Sequence, residues 1–195
     1  MTTRRPLPAL LLTLLLLTAE RAWAQGPSAP PAVTPPAVEA RIEDGVYTVQ
    51  GRFDISASVE VARGVLGDYE HIAEFVPTVR KSIVRLRRAD FIYVEQEAVE
   101  TALFVSKEMH VLLRITEEGN RLSFRDISQR DFRLYEGAWV LEAVPGGCRV
   151  TYALRARPRL AVPGFIAAPA FKDASARLLG QVRAEMLRRA QAKAP

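Results

Sequence analysis

The sequence predicts an α+β domain in which an antiparallel sheet packs against one long C-terminal helix. Apolar residues alternate with period two over most of the stretch 45–156, the signature of half-buried strands. The period changes to 3.6 in two short stretches after the first strand and again from residue 170, as amphipathic helices require. No internal repeat and no second regime of composition interrupts residues 39–195, so a single domain is expected there. Of the 195 residues, 49% are hydrophobic and 25% charged, a balance that excludes a chain disordered throughout, collagen and a multipass membrane fold.

The first 24 residues are expected to be a signal peptide. Arg4 and Arg5 precede Ala9 to Leu17, a stretch apolar except for Thr13, and Ala22-Trp23-Ala24 supplies a small-x-small cleavage site. The apolar run falls short of the roughly 20 residues that a spanning helix needs. Export to a bacterial periplasm is the location this predicts. Residues 25–38 carry Pro27, Pro30, Pro31, Pro35 and Pro36 and read as an extended tether, so the folded domain is expected from Glu39. Loss of Arg4, Arg5, Arg21 and Glu20 would lower the formal net charge from +5 to about +3, which gives no reason to expect nucleic acid.

Within the domain, residues 45–55 form the first strand, with Tyr47, Val49 and Phe53 on one face. Ser56 or Ser58 then caps a helix carrying Val59, Ala62, Val65 and Leu66 and ending at Gly67. Asp68 is expected to cap a second short helix with Tyr69, Ile72 and Phe75, closed by Pro77. Six further strands are expected at 79–88, 91–99, 103–115, 121–128, 132–144 and 148–156. Glu117-Glu118-Gly119-Asn120 and Pro145-Gly146-Gly147 mark tight turns between them. A proline-punctuated connection spans 157–169. A helix follows over 170–190, with Phe171, Ala174, Leu178, Val182 and Met186 on one stripe.

Asp54-Ile55-Ser56-Ala57-Ser58 and the block from Val65 to Pro77 resemble the START-like, helix-grip (SRPBCC) superfamily in its coenzyme Q-binding and polyketide cyclase branch. Gly137 to Glu142, Gly147 to Leu154 and Val162-Pro163 resemble that family's closing strands, and the likeness covers about residues 45–190. It implies a curved seven-stranded antiparallel sheet gripping the C-terminal helix, two short helices after the first strand, and an apolar cavity between sheet and helix.

The inward phases independently bring Phe53, Met109, Val111, Phe124, Trp139 and Tyr152 toward Phe171, Leu178 and Val182, a lining suited to an apolar ligand. The same stripes would equally fill a solid core. The resemblance makes an isoprenoid quinone or another lipid the expected ligand class, bound or carried without chemical change. The alternatives are a cyclase or dehydratase acting on a polyketide-like substrate, and a packed interaction domain without ligand. A convergent polar pair would mark the enzyme, and only Tyr152 and Gln96 are candidates.

Neither His71 nor His110 sits where a base needs to be, and the carboxylates Asp68, Glu70 and Glu74 are explained by helix caps and solvated faces. No catalytic residue, metal ligand or cofactor is therefore assigned. Cys148 is the single cysteine, which excludes a disulfide framework, and its strand phase buries it. Arg155, Arg157 and Arg159, followed by Leu160, Val162, Phe165 and Ile166, are either a peripheral membrane contact at the ligand entrance or an ordinary lid.

Overall fold

The computed structural model describes residues 35–102, 105–160 and 164–192, without the side chains of 100–102, 105–107 and 164–166. Eight strands among these residues form one antiparallel sheet. In chain order they are β1 (Ala37–Glu43), β2 (Val46–Ile55), β3 (Val79–Arg87), β4 (Ile92–Ala102), β5 (Val105–Glu118), β6 (Arg121–Asp126), β7 (Phe132–Val144) and β8 (Gly147–Pro158). Their spatial order is β1-β2-β8-β7-β6-β5-β4-β3. Strands β3 to β8 are therefore a meander. The one crossing connection leaves β2 near one edge and reaches β3 at the other, through α1 (Val59–Leu66), a single 3₁₀ turn (Tyr69–His71) and α2 (Ile72–Phe75). The last element is α3, Gly164–Ala192.

Strand β1 corrects the expected count of seven and takes Ala37 and Val38 out of the expected tether. The segment alternates Val38, Ala40 and Ile42 with Glu39, Arg41 and Glu43, and its register pairs Ala40 with Val49 and Ile42 with Tyr47. Asp44 and Gly45 close the hairpin with φ of 49° and 73°, the two positive values that a type I′ turn demands. Residues 1–34, and with them the expected signal peptide and most of the tether, lie outside the described residues.

The first helix begins as its sequence requires. Ser58 Oγ accepts from the Val61 N–H at 3.3 Å, and Ala62, Val65 and Leu66 are buried. Asp68 occupies the next cap position without capping. Its carboxylate instead meets His71 Nδ1 at 2.5 Å and Arg189 at 2.8 Å, a guanidinium being a stronger partner than a neutral amide. Helix α3 also departs from expectation, starting six residues early and running through Pro169, where one main-chain hydrogen bond is lost.

Helix α3 packs on β1 and β2, burying Leu179, Val182 and Met186 against Val49 and Phe53. Gly51 makes this possible: a Cβ there would collide with Cδ1 of Leu179, so the helix lies closer to β2 than any larger residue permits. Gly51→Ala is expected to destabilise the domain by about 1–3 kcal/mol through overpacking, read as a lower midpoint in urea unfolding. Cys148 is fully buried between β2 and β7, and burial raises its thiol pKa. It should resist a polar thiol reagent in the native protein and react only after denaturation. Rapid native labelling would contradict this.

Candidate functional site

Because α3 rests on the β1–β2 side of the sheet, strands β4 to β7 curve beneath it without being filled from above. The gap is a cavity of about 790 Å³, within the roughly 300–1,000 Å³ range of small-molecule sites. Eight of the nine residues expected to line it do so: Met109, Val111, Phe124, Trp139, Tyr152, Phe171, Leu178 and Val182. Phe53 does not. It is buried in the core with Val49, Leu179 and Met186, since α3 sits directly on β2 and leaves no space there.

Further lining residues follow the same phases. Leu113 and Ile115 continue the face of Met109 and Val111, Leu122 that of Phe124, and Tyr135 that of Trp139. Tyr69, Ile72 and Phe75 close one end from the 3₁₀ turn and α2. Their inward aim depends on where the crossing connection lies, which no local pattern carries.

An aromatic cluster forms the cavity floor. The ring centroids of Trp139 and Tyr152 are 4.5 Å apart, and those of Phe124 and Tyr152 6.3 Å. Gly137 pairs with Phe124 across β6 and β7, and a Cβ at Gly137 would strike both that ring and the Ala153 carbonyl. Burial pushes the Tyr152 phenol well above its ordinary pKa, with Tyr135 adding to the effect, so Tyr152 stays a protonated donor. Gln96 also lines the cavity, and its Nε2 donates to Ser82 Oγ at 3.2 Å. The Tyr69 hydroxyl donates to Glu117 at 2.6 Å, and Glu117 accepts from Arg63 at 3.1 Å. This links α1 and the 3₁₀ turn to the β5–β6 hairpin.

His71 and His110 do not line the cavity. The His110 main-chain N–H donates to the Asp131 carboxylate at 2.9 Å. Among the described residues no three His, Cys, Asp or Glu side chains cluster to hold a metal. Arg155 and Arg157 alternate with the buried Leu154 and Ala156, so they stand on the sheet's other face. Arg155 pairs with Glu136 at 3.0 Å, Arg157 donates to the Asp44 carbonyl, and Arg159 to the Gln129 carbonyl at 2.6 Å. Leu160 is exposed at the cavity rim. The Phe165 and Ile166 side chains, and Val162, fall outside the described set.

At the opposite end of α3, Glu185 is 7% exposed and accepts from Arg188 through two bonds of 2.7 Å and from Arg189 at 2.6 Å. Arg189 reaches on to Asp68. This network ties the last turns of α3 to the connection that closes the cavity.

The sequence matches the family described as Polyketide cyclase / dehydrase and lipid transport over residues 47–188. No curated protein matches it in sequence. Among solved structures, the protein TTHA0849 from Thermus thermophilus is similar at 21% identity and a TM-score of 0.65, over 75% of this chain and 99% of that one. A STAR-related lipid transfer protein from Xanthomonas axonopodis gives 18% identity and a TM-score of 0.66, over 77% and 93%. The Zhui aromatase/cyclase from Streptomyces sp. R1128 gives 12% and 0.63, over 76% and 95%. These likenesses establish the START-like fold.

The Glu185 network makes this arrangement acid-sensitive. Arg188, with Arg189 beside it, holds the Glu185 carboxyl pKa at about 2, below the ordinary 4.5. A depressed folded-state pKa contributes stability that is complete above the unfolded value and lost as pH falls toward the folded one. Urea midpoints should therefore decline between about pH 4.5 and 2, and Glu185→Gln should lower the midpoint at about pH 6 while flattening the decline over that window.

Proposed function

Since the chain belongs to the polyketide cyclase/dehydrase and lipid transport family, we propose that it binds and carries an apolar molecule, an isoprenoid quinone or another lipid, in the cavity beneath α3. The expected site of action is the exported compartment that the N-terminal sequence suggests. The observation that carries this reading is the continuous apolar cavity of about 790 Å³. A largely apolar space of that size forfeits packing that a filled core would make, and an apolar ligand restores it.

The balance of the lining favours carrying over catalysis: among many apolar side chains its carboxylates are Asp131, which accepts from the His110 main-chain N–H, and Asp173. A polyketide cyclase or dehydratase needs a group to take up a proton. Tyr152 is held protonated by burial, and the Gln96 amide is engaged by Ser82. Both are suited to orient a carbonyl, such as that of a quinone, rather than to remove a proton. Leu160, 60% exposed on the rim, marks the ligand entrance and the point where peripheral membrane contact would occur. Arg155 is not part of that contact, being paired with Glu136 at 3.0 Å.

Val182→Trp should abolish uptake of the apolar dye Nile red, followed by fluorescence, at a stability loss smaller than the ~1–3 kcal/mol or more that overpacking a full core costs. Val111→Trp, which fills the cavity from the opposite wall, should do the same. A parent protein that takes up neither Nile red nor a naphthoquinone would overturn the reading.

A further inference from the structure

The main cavity has a charged neighbour. Gly45, Tyr47, Arg133, Arg157 and Arg159 surround a cleft of about 250 Å³, which shares Pro158 and Leu160 with the main cavity. Between the two lie stacked rings 4.5 Å apart: Tyr47 lines the cleft and Phe171 lines the cavity.

Three arginines line this cleft, and no acidic side chain lines it among the described residues. Elsewhere on β7 and β8 the pattern is different. Arg149 is neutralised by Asp54 and Arg155 by Glu136. Arg157 and Arg159 instead donate to the uncharged carbonyls of Asp44 and Gln129. Each guanidinium has five N–H donors in a planar fork, so most remain for another partner.

Arg133 reaches the cleft through a specific distortion of the sheet. The register pairs Phe132 with Pro158 and Leu134 with Arg157, leaving Arg133 as the extra residue of a β-bulge. Bulges re-aim a side chain, and Arg133 lines the same cleft as Arg157. Arg157 in turn lies over the β1–β2 turn, within 3.7 Å of where a Gly45 Cβ would stand, so a larger residue at position 45 would crowd the cleft.

We propose that this cleft is a headgroup site for an anionic amphiphile. Arg133, Arg157 and Arg159 would hold a phosphate or carboxylate head, and the apolar chain would pass Pro158 and Leu160 into the main cavity. The guanidinium fork matches both oxyanions. The inference rests on the carrier reading above and narrows its ligand class from an isoprenoid quinone or another lipid to a lipid with an acidic end, which a quinone lacks.

Calorimetric titration of the full chain with dodecyl phosphate, dodecanol and inorganic phosphate, each amphiphile below its micelle concentration, tests this. Dodecyl phosphate should bind about tenfold or more tightly than dodecanol, a difference of at least one charge-assisted contact. Arg133→Gln should shrink that ratio, and Arg133→Gln/Arg157→Gln/Arg159→Gln should erase it, with dodecanol affinity unchanged in both. Arg133 makes no ion pair among the described residues, so its single variant keeps the test valid if the triple variant unfolds. Equal affinities of the parent for dodecanol and dodecyl phosphate would overturn the headgroup site while leaving the cavity reading intact. Binding of neither amphiphile would overturn the headgroup site, and the cavity reading falls with it when Nile red and a naphthoquinone are refused as well. Inorganic phosphate binding as tightly as dodecyl phosphate would make this a free-anion site and overturn the amphiphile.

Discussion

The seating of α3 on β2, at the contact between Leu179 and Gly51, is the constraint on which the remaining architecture depends. A helix laid along one side of a curved sheet can fill the groove only near its line of contact. Burial follows that geometry: Leu179 and Met186 are fully enclosed beside Val49, whereas Phe171 and Leu178 are only partly buried on the cavity side. Apolar burial stabilises by roughly 25 cal/mol per Å², and it is shared between the core under α3 on the β1–β2 side and a second buried cluster of Ile92, Val94, Leu113 and Ile115 on β4 and β5. The cavity lies between these two clusters, where α3 does not reach down to the sheet.

How much of this can be read from the sequence depends on whether the signal is local. Strand β7, 132–144, is legible to the residue, because the run lies between two clear polar or glycine breaks, Ser128 to Asp131 and Pro145-Gly146-Gly147. Strand β1 is obscured by the five prolines before it, although Glu43-Asp44-Gly45-Val46 carries the Asp-Gly pair of a type I′ hairpin. The start of α3 is hidden by Pro158, Pro163 and Pro169, and a proline six residues into a helix is compatible with it only at the loss of a hydrogen bond. Strand and helix phase bring eight of the nine expected residues to the cavity wall. Phase fails at Phe53 because it says which face a side chain takes, while the position of α3 decides whether that face is covered by helix or by open space.

Charge placement is the least legible layer. Asp68 has the sequence context of a helix cap, yet it serves a network assembled from residues more than a hundred positions away. The arginines of β8 look alike in sequence, but Arg149 and Arg155 find carboxylates across the sheet and Arg157 does not. Cross-strand pairing decides this, and pairing is a property of register. The bulge at Arg133 is likewise visible only once β7 and β8 are aligned.

The two ends of α3 are held by different physics, which bears on how a buried ligand enters. Toward the C-terminus, Val182 and Met186 are buried and the Glu185–Arg189–Asp68 network adds charge-assisted bonds between partly shielded partners. Toward the N-terminus, Pro169 removes a main-chain bond, and Phe171 is held by an aromatic stack on Tyr47, an interaction worth about 0.5–1.5 kcal/mol beyond its area. Local opening is drawn from the least stabilised segments of a fold. The weak end of α3 is also the end bordered by Leu160 and the arginine cleft, so the part of the roof that opens at least cost is the part under which both the apolar cavity and its charged neighbour lie.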